Sequence, residues 1–320
     1  MDELADLVTP LAVRAAVALG LPDRIANEPV PVEVLAADLG TDAGALARLV
    51  RLLATRGIVT VTSDGAVRLA AAGACLVSGT SAAARLDWTG AAGHLDRVFI
   101  ADLLTVLRTG RSGRDLWAEL AEPALGASFD RLMTARSAEW VPSVAELDLW
   151  AGVRSVVDVG GGRGHLLRAL TARWPHLRGV LVDRSGAADV PAAVEVVAGD
   201  FRDPLRAGAD VYVLAHVLHD WPDDTARTIL RRAAEAAGAT GVVLVIERLL
   251  DHGGHDAAHQ DLRLFVLFGG RERTRAEFES LGRDAGVTLD SARPTQSGRY
   301  VLTFRPVPDH EEIPCPRSAG

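Results

Sequence analysis

The 320-residue chain contains no lysine, so all 34 of its Lys-plus-Arg positions are arginine. That absence excludes Schiff-base catalysis, a phosphate-gripping P-loop lysine and a lysine general base. Cysteine is almost missing too. Cys75 and Cys315 are too far apart in sequence to read as a disulfide framework or a cluster of zinc thiolates, which fits a reducing compartment. No apolar run approaches the roughly 20 residues that span a bilayer. The opening MDELADLVTP carries acids where a secretory signal has a basic region, and no small-residue cleavage site follows an apolar run. The expectation is a cytoplasmic protein with no membrane partner. A net charge of -8 argues against nucleic acid as well, because such binding neutralises phosphates with clustered basic side chains.

The remaining composition is that of a folded chain: 48% hydrophobic, 24% charged, and long enough for one large or two modest domains. Apolar residues at helical spacing (Leu4, Leu7, Val8, Leu11, Ala15, Leu19) predict a first helix. A shorter helix follows over Val32 to Leu39. After Gly40, Thr41 or Asp42 can cap a third helix with Leu46, Leu49, Val50 and Leu53 facing inward. Ile58 to Thr62, the turn Ser63-Asp64-Gly65 and Val67 to Leu69 read as a hairpin. Helix, turn, helix, hairpin is a winged-helix pattern. Arg48 and Arg51 offer a DNA-binding reading, but no dense basic face or basic arm accompanies them, so a packing or dimerisation module is the better one. From Ala82 to Trp150 the chain reads as helical. Aromatics make up only 5% of the chain, yet this segment holds Trp88, Phe99, Trp117, Phe129, Trp140 and Trp150, most of them expected in the core.

Beyond Val153 short β-branched runs (155–159, 179–182, 194–198, 211–214, 241–246) alternate with helical segments. Buried parallel strands with crossover helices look like this, so a doubly wound α/β domain is expected. Two late runs, 287–292 and 299–304, lack a helix between them and predict an antiparallel pair at one edge. A proline-rich stretch from Pro306 onward predicts a loose tail over 306–320.

The first of these strands ends in Asp158-Val-Gly160-Gly-Gly162-Arg-Gly164, a turn that lets a ligand approach bare backbone at a helix start. Asp158 ahead of the glycines suits a cationic or zwitterionic group better than a pyrophosphate. Asp183 ends the second strand, where an acid can accept from both ribose hydroxyls. Asp200 after the third can accept from an adenine amino group, and Phe201 beside it can stack on the ring. Together these strand ends make a nucleoside site. The fourth strand runs into Ala215-His-Val-Leu-His219-Asp220-Trp221-Pro-Asp. His219 just past a strand's carboxyl end is a candidate general base. Glu247, ending the fifth strand, and Glu272, in the loop Gly-Gly-Arg-Glu-Arg-Thr, can orient the imidazole and stabilise its protonated form.

DVGGGRG, the Asp183 strand end, GDF, LHDWPDD and DLRLFVLFGGRERTRAEF together resemble the S-adenosylmethionine-dependent O-methyltransferases of the plant caffeate type, in particular bacterial members acting on aromatic natural products. The resemblance covers nearly the whole chain. It implies a Rossmann-like methyltransferase domain over 151–305, an N-terminal winged-helix dimerisation domain over 1–85 and a helical linker over 86–150 that contributes to the substrate pocket. It further implies a homodimer whose partner subunit helps to close that pocket. The cofactor implied is S-adenosyl-L-methionine, leaving as S-adenosyl-L-homocysteine; the acceptor implied is a small aromatic molecule, and no metal is needed. Carried onto this sequence, it assigns Asp158, Gly160, Gly162, Asp183, Asp200, Phe201, Trp221 and Ser137 to the cofactor. His219 is assigned as base, with Asp220, Glu247 and Glu272 around it. Phe129, Met133, His259, Leu264, Phe265 and Phe268 are assigned to the substrate. Ala215 stands where relatives often carry Ser or Lys, leaving a backbone contact there, and Leu264 and Phe265 replace a common methionine.

Two rival readings remain: an enzyme of the same fold that decarboxylates, hydroxylates or rearranges its substrate, and a winged-helix regulator sensing a nucleoside-like ligand. His252, His255 and His259 have a spacing that invites a metal, but a glycine-rich segment gives them no firm scaffold.

Overall fold

The computed structural model describes residues 5–184 and 190–306, and the chain divides into two compact units, residues 1–139 and 140–320. No helix among the described residues is long and apolar enough to cross a membrane.

The first unit opens with α1 (Val8–Ala18), a two-residue strand β1 (Val30–Pro31), α2 (Val32–Asp38) and α3 (Ala43–Thr55). Leu4, named in the first helix's stripe, lies outside the described residues. Asp42 caps α3 by accepting the Ala45 N–H, satisfying one of the donors a helix start leaves over. Leu46, Val50 and Leu53 of α3 are buried against Leu35, Ile25 and Val67, with Leu49 half-buried beside them. Gly57, at φ 67°, then turns the chain into the hairpin of β2 (Val59–Val61) and β3 (Ala66–Leu69). The sheet has a third member that the sequence pattern does not show. β1 pairs antiparallel with β3, giving the order β1-β3-β2, and two residues including a proline carry no alternation to read.

Two longer helices, α4 (Ala91–Thr109) and α5 (Pro123–Ser137), complete this unit. Here the expected aromatic core is only partly found. Trp140 and Trp150, both in the second unit, are buried, whereas Phe99, Trp117 and Phe129 are half-buried and Trp88 is exposed. The reason lies on α4, which also leaves Ile100, Leu104 and Leu107 in solvent, so this apolar face has no layer of its own unit over it.

In the second unit, seven strands form one sheet: β4 (Ser155–Val159), β5 (Arg178–Asp183), β6 (Val194–Ala198), β7 (Val211–Ala215), β8 (Val242–Glu247), β9 (Val287–Pro294) and β10 (Tyr300–Pro306). Their order is β6-β5-β4-β7-β8-β10-β9. The first five are parallel, and β10 runs antiparallel to both of its neighbours, giving the expected edge pair. Helices α6 (His165–Arg173), α7 (Asp223–Ala237), α8 (Gly254–Phe268) and α9 (Arg275–Asp284) accompany it. Ile229 and Leu230 of α7 and Phe278 of α9 pack on one face, with Trp140, Trp150 and Leu170 on the other. Each such aliphatic side chain contributes about 1.5–3 kcal/mol by leaving water. α9 begins with a capping box in which Thr274 and Glu277 bond each other's backbone N–H. Strand order reverses between β4 and β7, the crevice where open α/β sheets place ligands. Of the expected tail, Pro306 ends β10; the remainder lies outside the described residues.

Candidate active site

The carboxyl ends of β4 and β5 form the first half of the site. Asp158 is buried and its Oδ1 has no hydrogen-bond partner; burial, then the neighbouring Asp183 charge, pushes its carboxyl up to about 7. Gly160 follows at φ 73°, where a Cβ would stand 3.0 Å from Val217 Cγ2 and 3.4 Å from the Phe201 ring. Gly161 is tighter still, since its Cβ would lie 2.4 Å from Asp158 Oδ2. The Gly162 N–H donates to Asp183 Oδ2 at 3.0 Å, fixing the turn against the second strand end. After β6, Arg202 Nε donates to Asp200 Oδ1 at 2.9 Å and, as the main cause, holds that carboxyl below its ordinary range. Phe201 meets Trp221 edge-on at 5.8 Å, and Ala215 ends β7 half-buried. A glycine turn over an unpartnered buried carboxylate, next to an acid at the following strand end, fits a ligand with a cationic end and a ribose.

The second half of the site begins where β7 stops. His216 has φ 54°, the one positive φ at a non-glycine among the described residues, and the chain then forms a tight turn over Leu218–Asp220. His219 is buried in that turn. Its Nδ1 lies 2.8 Å from Glu247 Oε2 and 3.7 Å from Glu272 Oε1, and its Nε2 lies 3.5 Å from Asp220 Oδ1. The Glu247 contact is close but poorly aligned for a ring N–H, so charge attraction dominates it. Glu247 also accepts the His219 backbone N–H at 3.3 Å. Burial alone would push the imidazole down, yet Glu247, Asp220 and Glu272 outweigh it and hold His219 at about 10. Burial raises Glu272, and neither of its carboxylate oxygens has a hydrogen-bond partner. These acids stabilise positive charge on the ring, the state a base reaches after taking a proton.

Three residues that the sequence reading passed over hold this arrangement. Arg273 is fully buried and donates to the carbonyls of Leu218 and Trp221, each at 2.9 Å, and to Asp223 Oδ1 at 2.9 Å, so it ties down both ends of the His219 turn. Gly270 lets two backbones touch, since a Cβ there would stand 2.1 Å from the His219 carbonyl oxygen. That oxygen accepts the Arg271 N–H at 2.8 Å. His216 faces the same acids, with Nδ1 3.6 Å from Glu247 Oε2 and its ring 5.3 Å from that of His219. The signals were present in the sequence: an arginine and a glycine inside the Gly-Gly-Arg-Glu-Arg-Thr loop, and a second histidine three residues before the first.

The remaining expected site residues are on α5 and α8. Phe129, Met133 and Ser137 are on α5 of the first unit; Phe129 packs edge-on against Trp117 and the Ser137 hydroxyl donates to the Thr134 carbonyl at 2.8 Å. On α8, Leu264 is buried, Phe265 and Phe268 are half-buried, and His259 is exposed with its ring stacked on that of His255. His252 stacks instead on Tyr300.

Residues 110–288 match the O-methyltransferase domain, and residues 2–79 match the O-methyltransferase dimerisation domain. The chain is 40% identical to the 2,7-dihydroxy-5-methyl-1-naphthoate 7-O-methyltransferase of Streptomyces carzinostaticus, over 91% of this chain and 93% of that one. It is 38% identical to the aclacinomycin 10-hydroxylase of Streptomyces purpurascens, over 95% and 87%. A solved O-methyltransferase from neocarzinostatin biosynthesis, in complex with S-adenosylmethionine and 2-hydroxy-5-methyl naphthoic acid, superposes with a TM-score of 0.85 at 38% identity, over 95% of this chain and 98% of that one. A strand-end glycine turn, a buried histidine among acids and both domain matches lead to one assignment: the chain belongs to the O-methyltransferase family.

Proposed function

We propose that the protein transfers a methyl group from S-adenosyl-L-methionine to a phenolic or enolic hydroxyl of a small aromatic natural product, with His219 as general base. The observation that carries this reading is His219 itself, buried at the end of β7 with Nδ1 turned to Glu247 and Glu272. Held at about 10, the ring carries a proton at neutral pH, so Nε2 becomes the basic nitrogen where a cationic ligand in the Asp158 half of the site drives that proton off. A phenol has a pKa of about 10, so removing its proton as the new bond forms contributes on the order of 10²- to 10⁴-fold. Glu247 and Glu272 stabilise the imidazolium that results, and Asp220 stands by Nε2. When bound, the cofactor supplies a methyl group on a sulfonium sulfur. Asp158, Gly160, Gly162 and Asp183 are assigned to hold it, with Asp200, Phe201, Ala215, Trp221 and Ser137 completing its set. Phe129, Met133, Leu264, Phe265, Phe268 and His259 are assigned to the acceptor. The relative that takes a dihydroxylated naphthoate supports a bicyclic or smaller hydroxy-aromatic acid.

We assign residues 1–85 to dimerisation, 86–150 to a linker and 151–305 to catalysis, in a homodimer. The dimerisation-domain match and the exposed Leu7, Val8, Ile100 and Leu104 support association. The scarcity of cysteine supports a cytoplasmic site of action.

A second reading is favoured by the likeness to aclacinomycin 10-hydroxylase: a hydroxylase on the same scaffold. Incubating the protein with S-adenosylmethionine and a set of hydroxynaphthoic and hydroxybenzoic acids separates the two. Methyl transfer is expected to give a methyl ether and stoichiometric S-adenosylhomocysteine. Oxygen uptake with a hydroxylated product and no methyl ether would replace it with the second reading. Calorimetric titration with S-adenosylmethionine, S-adenosylhomocysteine and NAD is expected to show micromolar binding of the first two alone, lost in Asp183→Ala.

A further inference from the structure

We propose that His216, His219 and Glu247, with Glu272 beside them, form a binding site for a divalent ion of the zinc or cobalt type, and that its occupancy switches methyl transfer off. The reaction proposed above needs no such ion; this one inhibits. Binding stands on the geometry alone, while the effect on rate rests on His219 being the base.

The geometry is that of a chelate. Among the described residues, His216, His219 and Glu247 each offer a ligand atom, and these lie within 4.8 Å of one another. His219 Nδ1 and His216 Nδ1 stand 2.8 and 3.6 Å from Glu247 Oε2, and Glu272 Oε1 stands 3.7 Å from His219 Nδ1. Ligands around a tetrahedral ion with bonds of about 2.0–2.1 Å are about 3.3 Å apart, so the spacings to Glu247 and Glu272 need sub-ångström adjustments and the widest pair of ligand atoms at most about 1.5 Å. Two imidazoles with one or two carboxylates are ligand types zinc and cobalt accept.

Charge and hydrogen bonding agree. Glu247 and Glu272 are both fully buried, and Glu247 Oε2 and both Glu272 oxygens lack hydrogen-bond partners. Glu247 and Glu272 share a single imidazole partner in a dry place, and a divalent ion with two neutral imidazoles would balance both carboxylates. Buried polar atoms without partners are rare in folded proteins and call for an occupant. His216 adds a backbone observation. It reaches the cluster from a left-handed conformation that non-glycine side chains seldom adopt, and such strain collects at functional positions. Its ring is held edge-on by Trp140 at 5.2 Å.

An ion bound at His219 Nδ1 occupies the place of the proton shared with Glu247. With its Nδ1 lone pair given to the ion, the neutral ring carries its one proton on Nε2, where it can donate but cannot take the proton of the acceptor hydroxyl.

The test uses the full chain freed of metal by dialysis against a chelator. Cobalt(II) is titrated in and followed by the intense visible bands of four-coordinate cobalt, and zinc(II) is titrated into the methyl-transfer assay. One cobalt per chain, displaced by zinc, is expected, with zinc halving the rate at micromolar concentration. His216→Asn suits the left-handed backbone and is expected to weaken cobalt binding at least tenfold and to raise the half-inhibiting zinc concentration by the same factor. Absence of saturable four-coordinate cobalt, or equal affinity in His216→Asn, would overturn the site. Cobalt binding that leaves the transfer rate unchanged would overturn the switch. Saturable cobalt binding in a protein without any transfer activity would support the site and sink the base reading instead, so the two failures are distinguishable.

Discussion

The two units place their unusual side chains in opposite ways. Among the described residues, the buried polar or charged side chains Asp158, His219, Glu247, Glu272, Arg273 and Arg299 all belong to the second unit, and the first unit adds only Ser128. Exposed large apolar side chains show the reverse: among the described residues Leu7, Val8, Ile100, Leu104 and five others lie in the first unit, and Leu262 alone lies in the second. A buried unpaired charge costs several kcal/mol, and an exposed apolar face invites association. Each unit therefore shows a feature a purely structural domain avoids: buried charge, where the chemistry is proposed, in one, and uncovered apolar surface, where association is proposed, in the other.

The contrast breaks most sharply at His219. His219→Ala is expected to lower methyl transfer by on the order of 10²- to 10⁴-fold while S-adenosylmethionine affinity, by calorimetry, stays within about threefold. A loss below tenfold with intact binding would remove His219 as base. Next comes Arg273→Met, which removes the guanidinium's hydrogen bonds to the Leu218 and Trp221 carbonyls. A destabilisation of about 2–4 kcal/mol in urea and a tenfold or greater fall in kcat are expected, with Arg273→Lys intermediate. Unchanged kcat would show that the turn holds its shape without the guanidinium. On the other side of the comparison, Ile100→Asp combined with Leu104→Asp is expected to halve the mass seen by light scattering and to leave the melting temperature nearly unchanged; a mass that stays put would clear this face of any part in assembly.

The smallest effect is a pH slope. Asp158 is raised in the folded state to about 7, so the native protein binds a proton there that the unfolded chain, with an ordinary carboxyl, releases. Stability from this group is present at low pH and lost as pH rises toward 7. Melting temperature is expected to fall from about pH 5 to about pH 8, and Asp158→Asn is expected to flatten that slope. Equal slopes would mean that other groups carry the pH dependence.

Most strands were readable from the sequence because parallel strands buried on both faces announce themselves as β-branched runs, as at Val156 and Val213. The α3 cap at Asp42 was readable because it is local. Motif order placed His219 and Glu247 at neighbouring strand ends and Glu272 in a loop that can approach the same edge, and the structure brings both acids within 3.7 Å of the His219 ring. What escaped was non-local or conformational. Arg273 works through carbonyls some fifty residues earlier in the chain, and a carbonyl has no sequence signature. The left-handed backbone at His216 is invisible in a row of letters, and β1 is too short to alternate. Trp88 misled because an aromatic in a helical segment reads as core, whether or not its own unit has a layer to cover it.

Gly270 has a consequence for how such an enzyme changes over generations. Because its missing side chain lets the His219 carbonyl take the Arg271 N–H, the turn bearing His219, the proposed base, and the loop bearing Glu272 are joined backbone to backbone. The histidine and its acid are thus held as one piece. If α8 lines the acceptor as proposed, its side chains could be exchanged without touching that joint, whereas any side chain at position 270 would meet the His219 carbonyl and push the two segments apart.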